Sequence, residues 1–176
     1  LGFVEVRTRT GIQKHEFCLT RPLTLSMTYG LRVDPELFHE YASLRQQLEI
    51  AYWYEACALL EKSHIQELHD LMERANWKVS QNPVVIPMWE HREFHLGIYR
   101  PLNNRVLNSV LETYWDLYEA TRSYFYRNHE YLESVWSYHR QMVDAIASKA
   151  YEKGYEALVT HFDLMKTFKK ADLRQR

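Results

Sequence analysis

Apolar residues recur along this chain at two different periods, and the change between them divides it. Phe3-Val4-Glu5-Val6-Arg7 alternates as a strand does, and Thr8-Arg9-Thr10-Gly11 reads as a turn into a second short strand. A two-stranded ribbon is marginal by itself, so residues 1–13 read as the end of a larger unit. Residues 14–33 contain Pro22, show no clear period and read as a linker. From Asp34 the period is helical. Asp34-Pro35 offers a cap and a first-turn proline. Leu37, Tyr41, Leu44, Leu48, Tyr52, Glu55 or Ala56, and Leu59 then follow at spacings of three and four, which predicts a helix to about residue 62.

Further helices follow from the same pattern. Ser63-His64-Ile65-Gln66 has the form of a capping box and opens a second helix carrying Leu68, Met72 and Ala75. Residues 80–86, with Asn82-Pro83, read as a loop. Pro87 starts a third helix, Met88 to about Tyr99, which Pro101 ends. Asn103 or Asn104 caps a fourth, with Leu107, Val110, Leu111, Tyr114 and Tyr118 on its apolar side. A break near Asn128 precedes a fifth with Trp136, Val143 and Ile146, and a sixth begins near Glu152. The fold class is all-α: an antiparallel bundle of about six or seven helices behind a short β-hairpin. The domain reading is 34–172 for the helical domain, 14–33 for the linker and 1–13 for the hairpin.

Composition narrows the functions. Hydrophobic residues make up 46% of the 176 and aromatics 14%, enough for one substantial core. The formal charge of −1 is no electrostatic footprint for nucleic acid. Two cysteines, Cys18 and Cys57, exclude a disulfide framework and a thiolate zinc cluster. No apolar run approaches the ~20 residues of a membrane span, and no signal peptide opens the chain, so a cytoplasmic location is expected. Nine histidines are the compositional oddity.

Four of them have an arrangement. His91 and His95 are four apart on the third helix, so both imidazoles project from one face. His139 and His161 lie on the fifth and sixth helices, where an antiparallel hairpin can bring them to a similar height. Bundles build metal sites from such inward-facing side chains. Four neutral imidazoles suit Zn, Ni, Cu or Fe and leave the ion's +2 charge uncompensated, which favours an anionic ligand at any open position. The bland alternative is surface decoration, and spacing alone leaves it open. His15, His39, His64, His69 and His129 show no such pattern and read as solvated or interfacial. The segment 91–95 superficially resembles the H-E-x-x-H of zinc proteases, but Arg92 stands where the general base belongs and Glu93 is one place late. A metal-dependent enzyme is therefore disfavoured, and no catalytic residue is assigned.

A family resemblance enters here. His91-Arg-Glu-Phe-His95 followed by Asn104-Arg-Val-Leu107 resembles the "D-x-x-F-H … N-P-L-L" pattern of the FCD domain. That domain is the C-terminal ligand-binding part of FadR-type GntR transcriptional regulators. Tyr138-His139-Arg140 through Ala145-Ile146, then His161, is similar to its "E-H-x-x-I-x-x-A-I … H" ending. Leu44-Arg45-Gln-Gln-Leu48-Glu49 resembles its opening "L-R-x-x-L-E", and Gly2 to Gly11 resembles the wing of the family's winged-helix domain.

The resemblance implies a homodimeric regulator, commonly a repressor, that binds operator DNA through a winged helix. It also implies a divalent metal held by one Asp and three His, with a small organic-acid effector beside it that shifts the dimer between two arrangements. By position the three histidines are His95, His139 and His161, and His91 stands at the Asp position. Losing the anion favours Zn or Ni over Mn or Mg. Arg45 and, more weakly, Arg122 are the expected effector-carboxylate partners; for Arg45 the competing reading is an ion pair with Glu49. Arg7 and Arg9 are the DNA-contacting residues of the wing, and the preceding DNA-binding helices are expected to lie outside this chain. A metal-free sensor for a larger or acyl-type ligand is the alternative within the family. The family's Gly-Asp before the last helix reads here as Lys149-Ala150, which implies loss of an Asp cap.

Overall fold

A computed structural model of the protein describes residues 4–9, 11–14, 16, 18–121 and 129–172, with side chains described to residue 164. Strands β1 (Val4–Arg7) and β2 (Gly11–Lys14) pair antiparallel, with Val6 opposite Ile12 and Arg7 opposite Gly11. Arg9 and Gly11 both take positive φ in the connection, a conformation that glycine adopts freely and other residues seldom do. Among the described residues seven α-helices follow: α1 (Thr20–Val33), α2 (Leu37–Leu59), α3 (Lys62–Val79), α4 (Met88–Tyr99), α5 (Arg105–Thr121), α6 (His129–Ala147) and α7 (Tyr151–Asp172). The all-helical expectation with a leading hairpin is met.

Two corrections concern boundaries. The supposed linker contains α1. Pro22 sits in that helix's first turn, where backbone N–H groups have no intrahelical partner, so it does not break the helix. Polar side chains tie α1 to α5: Thr20 donates to Glu112 at 2.9 Å and Thr24 to Asp116 at 3.2 Å. The capping box of α3 forms two residues earlier than expected. Glu61, not Ser63, is the N-cap, and the His64 Nδ1 accepts from the Glu61 backbone N–H at 3.0 Å.

By internal contacts the chain divides into two units, Leu1–Leu48 with Asn104–Arg122, and Glu49–Asn103 with Ser123–Arg176. In the first unit Phe38 stacks on Tyr114 and Tyr118, and the Tyr41 hydroxyl donates to the Val110 carbonyl at 2.9 Å. Burial pushes the Tyr41 phenol up to about 12, so it stays a neutral donor.

In the second unit α3 packs on α4 and α6, and α6 and α7 form a hairpin. Leu68, Met72, Phe94, Ile98, Leu132, Met142, Val143 and Leu158 fill its core. Lys78 reaches the buried Glu90 at 2.7 Å and so ties α3 to the start of α4. Lys149 adopts φ 59 in the α6–α7 turn, and the Ala150 N–H returns to the Ala145 carbonyl at 2.8 Å. The chain thus makes a glycine-type helix stop with a lysine, at a cost of about 1 kcal/mol.

Trp53 of α2 is fully buried and its indole N–H donates to the Tyr151 carbonyl at 2.9 Å. A methyl group at Gly154 would lie 2.6 Å from Trp53 Cζ2 and 3.2 Å from Ala145 Cβ. Gly154→Ala is therefore expected to destabilise the protein by about 1–2 kcal/mol, even though alanine gains about 1 kcal/mol in helix propensity. Urea unfolding measures the difference, and a stabilised variant would show that the indole yields freely.

Candidate metal centre

The second unit assembles a cluster of imidazoles from three helices. Proline boundaries define α4, whose first turn follows Pro87 and whose end runs into a 3-10 turn at Arg100–Leu102. Within α4 the i, i+4 spacing places His91 and His95 on one face, with ring centroids 5.1 Å apart. The α6–α7 hairpin brings His139 to 4.8 Å from His91 and His161 to 4.5 Å from His139. All four histidines are buried, His95 and His139 completely. One nitrogen from each can be chosen so that the four lie within 4.8 Å of one another.

That geometry fits a single ion. Tetrahedral zinc with Zn–N of about 2.0–2.1 Å requires nitrogens about 3.3 Å apart. The Nε2 atoms of His95 and His139 are 3.1 Å apart. Without an ion one of them must donate to the other, whereas a cation accepts both lone pairs. The donor set is imidazole only. Burial pushes the Cys57 thiol up to about 12, which makes it a poor thiolate ligand.

Aromatic side chains wall the cluster. Phe94 and Trp136 lie 4.5 and 4.7 Å from the His139 ring, and Phe162 lies 5.6 Å from His161. An apolar shell of this kind excludes water and strengthens charge interactions inside. One carboxylate is placed behind the cluster: Glu49, fully buried, has Oε2 2.8 Å from His95 Nδ1.

The remaining candidates fall elsewhere. Glu93, one place late for a protease base, is engaged by Arg100 at 2.7 Å. Arg45, in the first unit, is buried with its guanidinium 4.6 Å from the Tyr114 ring centroid and 4.7 Å from that of Trp115. Such stacking suits a desolvated arginine. Arg122 lies outside the described residues. Arg7 is exposed and meets Glu5 at 2.9 Å, and Arg9 is exposed in the turn. His39, His64 and His69 are half-buried and His129 is exposed, as expected of histidines outside the cluster, while His15 lies outside the described residues. Sequence reasoning missed the role of Glu49, because its partner is 46 residues away and no local spacing connects them.

Comparison with known proteins supplies the family. Among solved structures the fold is similar to E. coli McbR/YncC, with 18% identity and a TM-score of 0.65 over 98% of this chain and 78% of that one. It is similar to Streptococcus agalactiae GntR, with 18% identity and a TM-score of 0.72 over 94% and 75%. A transcriptional regulator of the GntR family from Pseudomonas syringae pv. tomato matches at 17% identity and a TM-score of 0.57 over 99% and 68%. No curated protein sequence matches the chain. No described helix is long and apolar enough to cross a membrane. The FCD domain family profile matches residues 40–164, and because that match spans more than half of the sequence, the chain belongs to the FCD domain family.

Proposed function

We propose that this chain is the metal-dependent, effector-sensing part of a homodimeric transcriptional regulator. The observation that carries the reading is a buried four-imidazole cluster within an FCD fold. His91, His95, His139 and His161 hold a divalent ion, zinc or nickel, because these metals accept nitrogen-only ligand sets. When bound, the ion supplies positive charge that draws a small carboxylate into the site. Arg45 remains a second candidate anion partner on the family pattern, and Arg7 and Arg9 are candidate contacts to operator DNA. Effector binding acts by its differential affinity for two arrangements of the dimer.

A thermal-shift screen of small mono- and dicarboxylates, with zinc and after chelation, tests this reading. A ligand at ~100 times its Kd stabilises by about 2.7 kcal/mol, which for a domain of this size is roughly 5–10 °C in Tm. Shifts of that order are expected only with metal present. Equal shifts after chelation would instead support a metal-free sensor, and an acyl-type ligand that outperforms every short acid would do the same.

A further inference from the structure

We propose that Glu49 is the positioning residue of the metal centre and supplies, from behind His95, the negative charge that the ligand set lacks. The inference rests on the metal-centre reading above. Four imidazoles bring no anion to a divalent ion. The Glu49 carboxylate is fully buried on α2, 2.8 Å from the Nδ1 of a histidine that is itself fully buried. With Glu49 ionised its carboxylate only accepts, and Nδ1 then carries the proton. The Nε2 of His95 is then left with its lone pair, on the ring edge that faces His139 Nε2 at 3.1 Å.

Two effects follow from one contact. The hydrogen bond fixes the tautomer and ring orientation that coordination requires, and it makes the imidazole a more basic ligand. The carboxylate also places a negative charge one ring away from the ion, inside an apolar shell of Phe94, Trp136 and Phe162 where that charge is poorly screened. The backbone of Glu49 is anchored as well: its carbonyl accepts from the Tyr99 hydroxyl at 2.8 Å, so the last residue of α4 fixes the stretch of α2 that serves the histidines of the same helix. A buried carboxylate is costly unless it is hydrogen-bonded, and the His95 ring supplies one such bond.

The test is zinc affinity, measured by competition with a chromophoric chelator on the full chain, together with the His95 tautomer in metal-free protein, read from long-range proton–nitrogen NMR correlations. Wild type is expected to show His95 as the Nδ1–H form. Glu49→Ala is expected to bind zinc 10–100-fold more weakly and to lose the fixed tautomer. Glu49→Gln keeps an acceptor of the same size without the charge, so it should retain the tautomer while losing roughly 3–10-fold in affinity, just below that range. Wild-type affinity in either folded variant, or an Nε2–H form of His95 in the parent chain, overturns the proposal. If Glu49→Ala fails to fold, Glu49→Gln decides the question by itself. A parent chain that retains no ion overturns both this inference and the metal-centre reading, whereas a parent that binds zinc beside an unaffected Glu49 variant overturns this inference alone.

Discussion

His139→Ala is expected to leave the protein folded and unable to retain a stoichiometric ion through desalting. His139 sits in the middle of the cluster, with ring centroids 4.8, 5.1 and 4.5 Å from His91, His95 and His161. Removing one of four imidazole ligands is expected to lower affinity about 10²- to 10³-fold, roughly 3–4 kcal/mol. The variant also leaves a gap against Phe94 and Trp136, which lowers the melting temperature of the metal-free protein. The readout is therefore the zinc-induced rise in Tm and the metal content by mass spectrometry, because neither depends on that baseline. Full occupancy at parental affinity in His139→Ala would end the four-histidine assignment.

Trp53→Ala is expected to lower stability by about 3–5 kcal/mol, the largest loss among the core positions described. The indole is fully buried, lies against Gly154 and Ala145, and donates to the Tyr151 carbonyl at 2.9 Å. Alanine opens a cavity against a helix that has no side chain at position 154 to fill it, and removes the indole's hydrogen bond to the Tyr151 carbonyl. For a domain of this size the loss amounts to roughly 6–20 °C in Tm. Chemical denaturation followed by circular dichroism measures it, and a loss below about 1 kcal/mol would show that the packing around Gly154 collapses freely. Trp53→Ala combined with Gly154→Ala should cost less than the sum, since the added methyl meets open space once the ring is gone.

Legibility in the sequence followed the kind of force involved. Where helices are bounded by proline or capped by asparagine and packed through apolar faces, the pattern located them closely. α4 runs from Met88 to Tyr99 as expected, and the Asn104 side chain accepts the Leu107 N–H at 3.0 Å as an N-cap should. The α1 helix, tied to α5 through the Thr20 and Thr24 hydroxyls, carries half-buried Leu19 (its N-cap), Leu23 and Met27 at a spacing of four, and Pro22 in its first turn made the segment read as linker. Glu61 could take the cap of α3 because His64, three residues on, has a ring nitrogen able to accept its N–H, a reciprocal pairing that the usual serine-to-glutamine pattern does not describe. The histidines of the site were visible as spacing within α4 and as positions in a family pattern. Their convergence, and the carboxylate behind them, depend on how α2, α4 and the α6–α7 hairpin meet. No local period encodes that meeting.

The cluster draws its nitrogens from one helix and from a hairpin that begins much later, with His95 and His139 separated by 44 residues. An ion held by both is a reversible cross-link that closes a long loop. Such a link restricts the unfolded chain far more than the folded one. Neither α4 alone nor the hairpin alone presents more than two of the four ligands. On the proposed reading, metal uptake would come late in folding and report the docking of these helices, and an ion once bound would chiefly retard their separation.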